Sequence, residues 1–374
     1  MPAPGPSAPD PSALGPSAPG PSAPGPGALG RSSRPRALLL GGTGSLWQTA
    51  SHLARAGWAV TVTGRDAARL PPSADELGVR FVALDRADVP GHERLLGEGA
   101  DLLVDGQGYT PQQAEDLARW SRRCGSTAYL SAKAVYVDPS GHHLNSPEGV
   151  RFPGPVDEAT PTLTWHGEAW DTAEGYGPNK AEAERRLLDR GERVSVLRPS
   201  KIHGPWVRQA RTAAVLALVR TARPGARSEG GNGSMPRRGS MPNRGPVRVR
   251  GAGVVESTTS AEVLARTVLA VARTPGQRVL NVADADPRPA GELARAVWRA
   301  AGFDPVPIVV EADAGHDASL DAADHAGAEP AVLPWRVPMV LDTSALSDLG
   351  VALPTFAETV WMEVEWLSRT GVGP

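Results

Sequence analysis

Between residues 34 and 370, short apolar runs alternate with segments whose apolar residues recur every three or four positions. Ala37–Leu40, Trp58–Thr63, Val79–Leu84, Asp101–Asp105, Ser126–Ser131, Val194–Leu197 and Val279–Val282 read as strands. Ser45–Ala56, Pro111–Cys124, Tyr176–Asp189, Ala261–Arg273, Ala290–Ala301 and Pro354–Ser368 have helical spacing. Strands and helices taken in turn predict an α/β fold, a doubly wound parallel sheet with helices on both faces. The pattern after residue 284 predicts a smaller C-terminal lobe for substrate.

Two stretches stand outside this pattern. Residues 1–33 repeat variants of Gly-Pro-Ser-Ala-Pro and have almost nothing to bury, which predicts a disordered tail. Residues 222–245 form an Arg-rich insertion containing the tandem repeat SMPRRG-SMPNRG. Eight arginines oppose one acid between Arg220 and Arg250, so the insertion reads as a solvated loop or as a basic loop that attracts phosphates. The expected organisation is a dinucleotide-binding core over 34–200, completed by about 247–283. The lobe takes 201–246 and 284–374.

Composition narrows the class. A net charge of -2 gives no global field toward nucleic acid or membrane. The single cysteine, Cys124, excludes an intrachain disulfide and a cysteine-rich metal site. The longest apolar run, Ala213–Val219, is far short of the roughly 20 residues of a membrane helix. No charged-then-apolar leader opens the chain, so a cytoplasmic protein is expected. His142-His143 lies in a Gly/Pro/Ser loop without further ligands, and no metal is expected.

Candidate chemistry begins at LLLGGTGSLW, residues 38–47, where a strand ends and a helix opens. Glycines let the backbone approach a pyrophosphate, and the helix N-terminus attracts it with free N–H groups. Gly41, Thr43, Gly44, Ser45 and Leu46 are the expected cofactor contacts of this Rossmann-type loop. Trp47 stands where the third glycine of the pattern allows close helix–strand packing. Its indole must push the helix outward or turn to solvent. After the second strand, Arg65, helped by Arg69, suits the 2′-phosphate of NADP better than the ribose of NAD. Asp85, after the third strand, is placed to reach the adenine.

Tyr176 and Lys180 sit four residues apart, on one face of a helix. A cation beside a phenol stabilises the phenolate and equips it for proton exchange. With four tyrosines and only three lysines in the chain, such a spacing arises by chance about 0.03 times, which makes the match informative. Pro178 between them is expected in the first helical turn, where a missing N–H costs little.

These residues, with YLSAKAVYV, VDEATP, YGPNKAEAERRLL and VSVLRPSKIHGP, resemble the extended short-chain dehydrogenase/reductases, the NAD-dependent epimerase/dehydratase family. The resemblance covers about residues 36–370, and YTP after the fourth strand looks most like the branch with chloroplast stem-loop RNA-binding relatives. It implies Tyr176 and Lys180 as catalytic residues, and a Ser or Thr four residues before Tyr136. Ala132 stands there instead. Ser131 is adjacent but faces the other way unless the strand end bends. Lys133 takes a place where sugar dehydratases often carry an acid. Lys201 and His203, after a strand end, are the substrate candidates, with His203 in place of a usual tyrosine. The resemblance also implies a homodimer.

Two functions follow. The first is an NADP-dependent oxidoreductase or epimerase acting on a hydroxy or keto group of a small molecule, such as a nucleotide sugar, with Tyr176 exchanging the proton. The second is a non-catalytic Rossmann protein that binds a dinucleotide, RNA or a partner, motivated by Trp47, Ala132 and the arginine loop.

Overall fold

In the computed structural model, residues 34–209, 211–221, 247–303, 307–311 and 331–370 are described. The tail 1–33 and the insertion 222–245 both lie outside them. The first half runs β1 (Arg36–Leu40), α1 (Trp47–Arg55), β2 (Ala59–Gly64), α2 (Ser73–Glu76), β3 (Arg80–Ala83), α3 (Val89–Leu96), β4 (Ala100–Asp105), α4 (Pro111–Ser121), β5 (Cys124–Leu130) and α5 (Ala173–Arg190). The second half runs β6 (Val194–Pro199), β7 (Lys201–His203), α6 (Arg211–Thr221), β8 (Val247–Arg250), β9 (Val255–Glu256), β10 (Thr258–Ser260), α7 (Ala261–Arg273) and β11 (Arg278–Val282). It closes with β12 (Arg288–Pro289), α8 (Ala290–Ala300), β13 (Ile308–Glu311), β14 (Ala331–Val332), α9 (Ser344–Asp348) and α10 (Phe356–Thr370).

Seven strands form one sheet in the order β11-β6-β5-β4-β1-β2-β3. Every pairing in it is parallel, as with Leu39 beside Val62 on one side and Val104 on the other. The strand order reverses between β1 and β4, which opens a crevice at the carboxyl ends of those two strands. The doubly wound α/β fold is therefore present.

Apolar strand residues are buried on both faces, as a parallel sheet requires. On one face α1 and α7 pack over Leu39, Val62 and Val104. On the other, α4 and α5 pack over Leu38, Leu103 and Val196. A separate apolar cluster joins α6, α8 and α10 around Trp298 and Trp335, beside β8. It combines residues that the sequence assigns to the second lobe with Val247, Val249 and Ala252, which the sequence assigns to the core. Among the described residues, no helix is long and apolar enough to cross a membrane.

Helix starts follow their caps. Thr110 accepts from Gln113 N while Gln113 returns a bond to the Thr110 N–H, a reciprocal cap that fixes the start of α4. Ser260 caps α7 through Val263 N, and Thr172 caps α5 through Gly175 N. That last cap corrects the expected boundary. Helix α5 begins three residues before Tyr176, so Pro178 lies in its second turn, not its first. Beside the interruption, Asn179 Nδ2 donates to Gly175 O at 2.9 Å and to Glu168 O at 2.7 Å, tying the start of the helix to the preceding loop.

Candidate active site

The carboxyl ends of β1, β4, β5 and β6 surround a cavity of about 340 Å³. Gly41, Thr43, Gly44, Ser45 and Leu46 line one side, and Tyr109, Ser131, Ala132, Tyr176 and Lys180 line the other. Gly41, Tyr109, Ser131 and Tyr176, far apart in sequence, thus converge, because the sheet brings its strand ends to one edge. A second cavity of about 150 Å³ is lined by Gly64, Arg65, Asp66 and Arg69. Thr43, Gln107 and Arg208 border both cavities.

The glycines of the first loop have separate tasks. Gly41 has φ +90°, a conformation that side-chain-bearing residues rarely adopt. Gly42 lies so close against Val62 that no β-carbon fits. Trp47, the first residue of α1, is only 3% exposed and belongs to the cluster beneath the sheet. The alternative of an indole turned to solvent is thereby corrected: the side chain fills core volume that a glycine would leave to the helix.

Arg65 borders the second cavity, and among the described residues its guanidinium has no hydrogen-bond or ion-pair partner. Arg69 pairs with Asp66 at 3.7 Å. Asp85, expected to reach adenine, instead folds back to accept from Ala87 N at 2.9 Å and lines neither cavity.

Lys180 is 2% exposed, and its Nζ donates to Gly108 O at 2.7 Å and Leu130 O at 2.6 Å. The ammonium also lies 4.8 Å from the ring centroids of Tyr109 and Tyr129. Burial lowers its pKa to about 8, opposed by the charges of Asp105 and Glu184. Burial, with Tyr109 adding to it, pushes the Tyr176 phenol up to about 12. The two catalytic candidates reach the same cavity, but the ammonium is engaged by main-chain carbonyls and does not depress the phenol's pKa as the spacing suggests.

Ala132 and Ser131 both border the cavity, just past the end of β5. Ser131 Oγ is buried and has no hydrogen-bond partner among the described residues. Lys133 turns into the protein, 2.5 Å from Glu256 Oε1. Lys201 shares Glu256, at 3.0 Å, and also donates to Pro334 O. His203, 1% exposed, bonds Asp284 at 2.9 Å. Lys201 and His203 therefore belong to buried polar clusters, and neither lines the cavity, in contrast to their expected place at the substrate.

Several cavity residues escape sequence reasoning. Tyr109 stacks on Trp170 with ring centroids 4.8 Å apart and lies 6.4 Å from the Tyr176 ring. Arg211 enters from the start of α6, donating to Ile202 O at 3.0 Å. Arg208 follows Trp206, which holds φ +70° and meets Trp366 of α10 at 5.4 Å between ring centroids. Signals existed only for Tyr109, directly after β4 in the GQGYTP string. The arginines read as ordinary loop residues.

No protein-family model and no curated protein sequence matches the chain. Solved structures match it in fold. The Bordetella bronchiseptica enzyme WbmH, in complex with NAD+, is 16% identical with a TM-score of 0.61, covering 91% of this chain and 100% of its own. A dTDP-glucose 4,6-dehydratase from Bacillus anthracis, in complex with NAD, is 14% identical at TM-score 0.61, covering 90% and 97%. A UDP-glucose 4-epimerase from Thermotoga maritima, with UDP-glucose, is 15% identical at TM-score 0.58, covering 90% and 99%. At these identities the likeness is one of architecture.

Proposed function

We propose that the protein is a nicotinamide-dinucleotide-dependent oxidoreductase or epimerase-like enzyme acting on a carbonyl or hydroxyl of a small molecule, with a nucleotide sugar as the leading substrate class. The observation that carries this is a single cavity bordered by both the Gly41–Leu46 loop and the Tyr176–Lys180 face of α5. The like-folded structures with NAD+, NAD and UDP-glucose support the same reading.

The residues present fit a dinucleotide. Nothing comes closer to a β-carbon built on Gly44 than the Trp206 carbonyl at 3.9 Å, so that part of the loop is open to a phosphate. Unpaired Arg65 at the second cavity supports NADP over NAD, through the 2′-phosphate. When bound, the nicotinamide supplies or accepts a hydride.

The side chains define the rest. A phenol raised to about 12 is protonated at neutral pH, so Tyr176 is better suited to donate a proton to a carbonyl oxygen than to remove one from an alcohol. Lys180 holds the Gly108 and Leu130 carbonyls together and thereby fixes the wall opposite the phosphate loop. Ala132 offers no donor, which leaves Tyr176 to act alone on the substrate oxygen.

A second reading, a dinucleotide-binding protein without catalysis, is favoured by Ala132 together with the engaged Lys180. Binding and turnover separate the two. Purified protein is titrated with NADPH and NADH by calorimetry, and NADPH consumption is then followed by absorbance with a panel of nucleotide-sugar and simple carbonyl substrates. The enzyme reading expects NADPH to bind more tightly, Arg65→Ala to erase that difference, and Tyr176→Phe to abolish turnover with binding retained. Absence of binding by either nucleotide at millimolar concentration refutes both readings.

A further inference from the structure

The phosphate loop is covered, at its first glycine, by a side chain from across the crevice. A β-carbon built on Gly41 would lie 2.5 Å from Gln107 Cγ and 2.8 Å from Gln107 Cδ. Gln107 thus rests directly on the backbone that a pyrophosphate would approach. It is not loosely placed. Its N–H donates to Asp105 Oδ1 at 2.8 Å, and Asp105 Oδ2 is gripped by Arg86 through Nε at 3.1 Å and Nη2 at 2.9 Å, with both charged groups buried.

The carboxamide itself is uncommitted, forming no hydrogen bond among the described residues. It borders both cavities, together with Thr43 and Arg208. A ligand that spans the two cavities passes the three residues they share, Thr43, Gln107 and Arg208.

We infer that Gln107 is a specificity-determining partition. It divides the crevice into an adenosine-side cavity at Arg65 and a reaction-side cavity at Tyr176, and it must rotate off Gly41 before a dinucleotide can occupy both. This rests on the reading of the site given above. A ligand confined to one cavity meets no such barrier, so the residue taxes long nucleotides and spares short ones. Apparent affinity falls by the fraction of molecules whose side chain is already displaced. An open fraction of about one in ten costs a dinucleotide about tenfold in Kd. Arg208, exposed and without a partner among the described residues, faces the same waist and supplies the charge that a pyrophosphate meets once the amide has moved.

The test is isothermal titration of wild type, Gln107→Ala and Gln107→Leu with NADPH and with adenosine 2′-monophosphate. The alanine removes the partition, while leucine keeps its bulk and loses its amide. We expect Gln107→Ala to bind NADPH about tenfold more tightly, Gln107→Leu to stay at or below wild-type affinity, and all three to bind the mononucleotide equally. Among the described residues the Gln107 side chain makes no hydrogen bond, so unchanged melting temperatures are expected throughout. NADPH affinity that falls in both variants makes the amide a ligand and overturns the partition, as does unchanged affinity in Gln107→Ala; in either case dinucleotide binding by wild type leaves the parent reading standing. If no variant binds either nucleotide, both fall together.

Discussion

A buried ammonium leaves a signature in stability that is independent of any substrate. Lys180 is closed off from solvent, and its pKa falls from 10.5 to about 8 in the folded protein. The direction of the effect follows from proton binding. Between about pH 8 and 10.5 the unfolded chain keeps this proton while the folded protein has released it. Stability attributable to Lys180 therefore rises with pH across that window and is flat below it. At about 1.4 kcal/mol per pH unit, the full rise is about 3 kcal/mol. Lys180→Met removes the titration and retains the volume. It also strips the Gly108 and Leu130 carbonyls of a donor, but that cost does not vary with pH. Lys133, lowered to about 8, and the tyrosines of the unfolded chain, at about 10, titrate inside the same window, but they are common to both proteins and cancel in the difference. Urea unfolding of wild type and Lys180→Met at half-unit steps from pH 7 to 10.5 should give curves that diverge in favour of wild type above about pH 8. Parallel curves would refute the assignment of Lys180 as a buried, depressed ammonium, and with it the account of the cavity wall.

Three further outcomes are expected. Ala132→Ser should raise turnover of a carbonyl substrate by about 10²-fold, the scale of one oriented donor to a developing oxyanion, with little change in NADPH affinity; unchanged kcat means the substrate oxygen does not lie beside residue 132. Glu184→Ala abandons Arg198, whose Nη2 lies 2.6 Å from Glu184 Oε2 with both side chains buried, and should cost about 3–5 kcal/mol in urea unfolding. A loss below about 1 kcal/mol would show that water reaches the guanidinium. Trp47→Ala should cost about 3–5 kcal/mol by opening a cavity beneath the sheet, and a melting temperature within a degree of wild type would contradict the burial of the indole.

The sheet was legible because parallel strands are buried on both sides and stand out as continuous apolar runs. Helix α7 was read to its terminal residues, since Ser260 marks its start and its apolar stripe is regular. Helix α3 was not read. Pro90 and Gly91 look like breakers, yet Pro90 occupies the second helical position, where no donor is lost, and Asp88 caps the turn through Gly91 N. Helix α6 showed only as an apolar run because its side chains pack among α8 and α10 instead of dividing into a wet and a dry face.

At the site, the glycine loop and the Tyr176–Lys180 pair were visible because local spacing alone defines them. Lys201, His203 and Asp85 were misplaced for the opposite reason. Lys201 and His203 take their direction from partners far away in sequence, Glu256 and Asp284, while Asp85 takes its direction from a tight local turn. Gln107 and Arg208 had no signal at all, because a residue that matters by lying between two hollows cannot be recognised before the hollows exist.

Trp206 gives the C-terminal helix a reach that its position does not suggest. A bulky residue at φ +70° stores on the order of 1–3 kcal/mol, and only neighbours can hold it there. The neighbour recorded for its ring is Trp366, on a helix that lines neither hollow. That indole is one of the contacts that hold the strained residue, beside the apolar cluster beneath the sheet, so a change on α10 reaches the residue two positions before Arg208. An assay of the crevice alone would record such a change as a lost arginine, although the cause sat on α10.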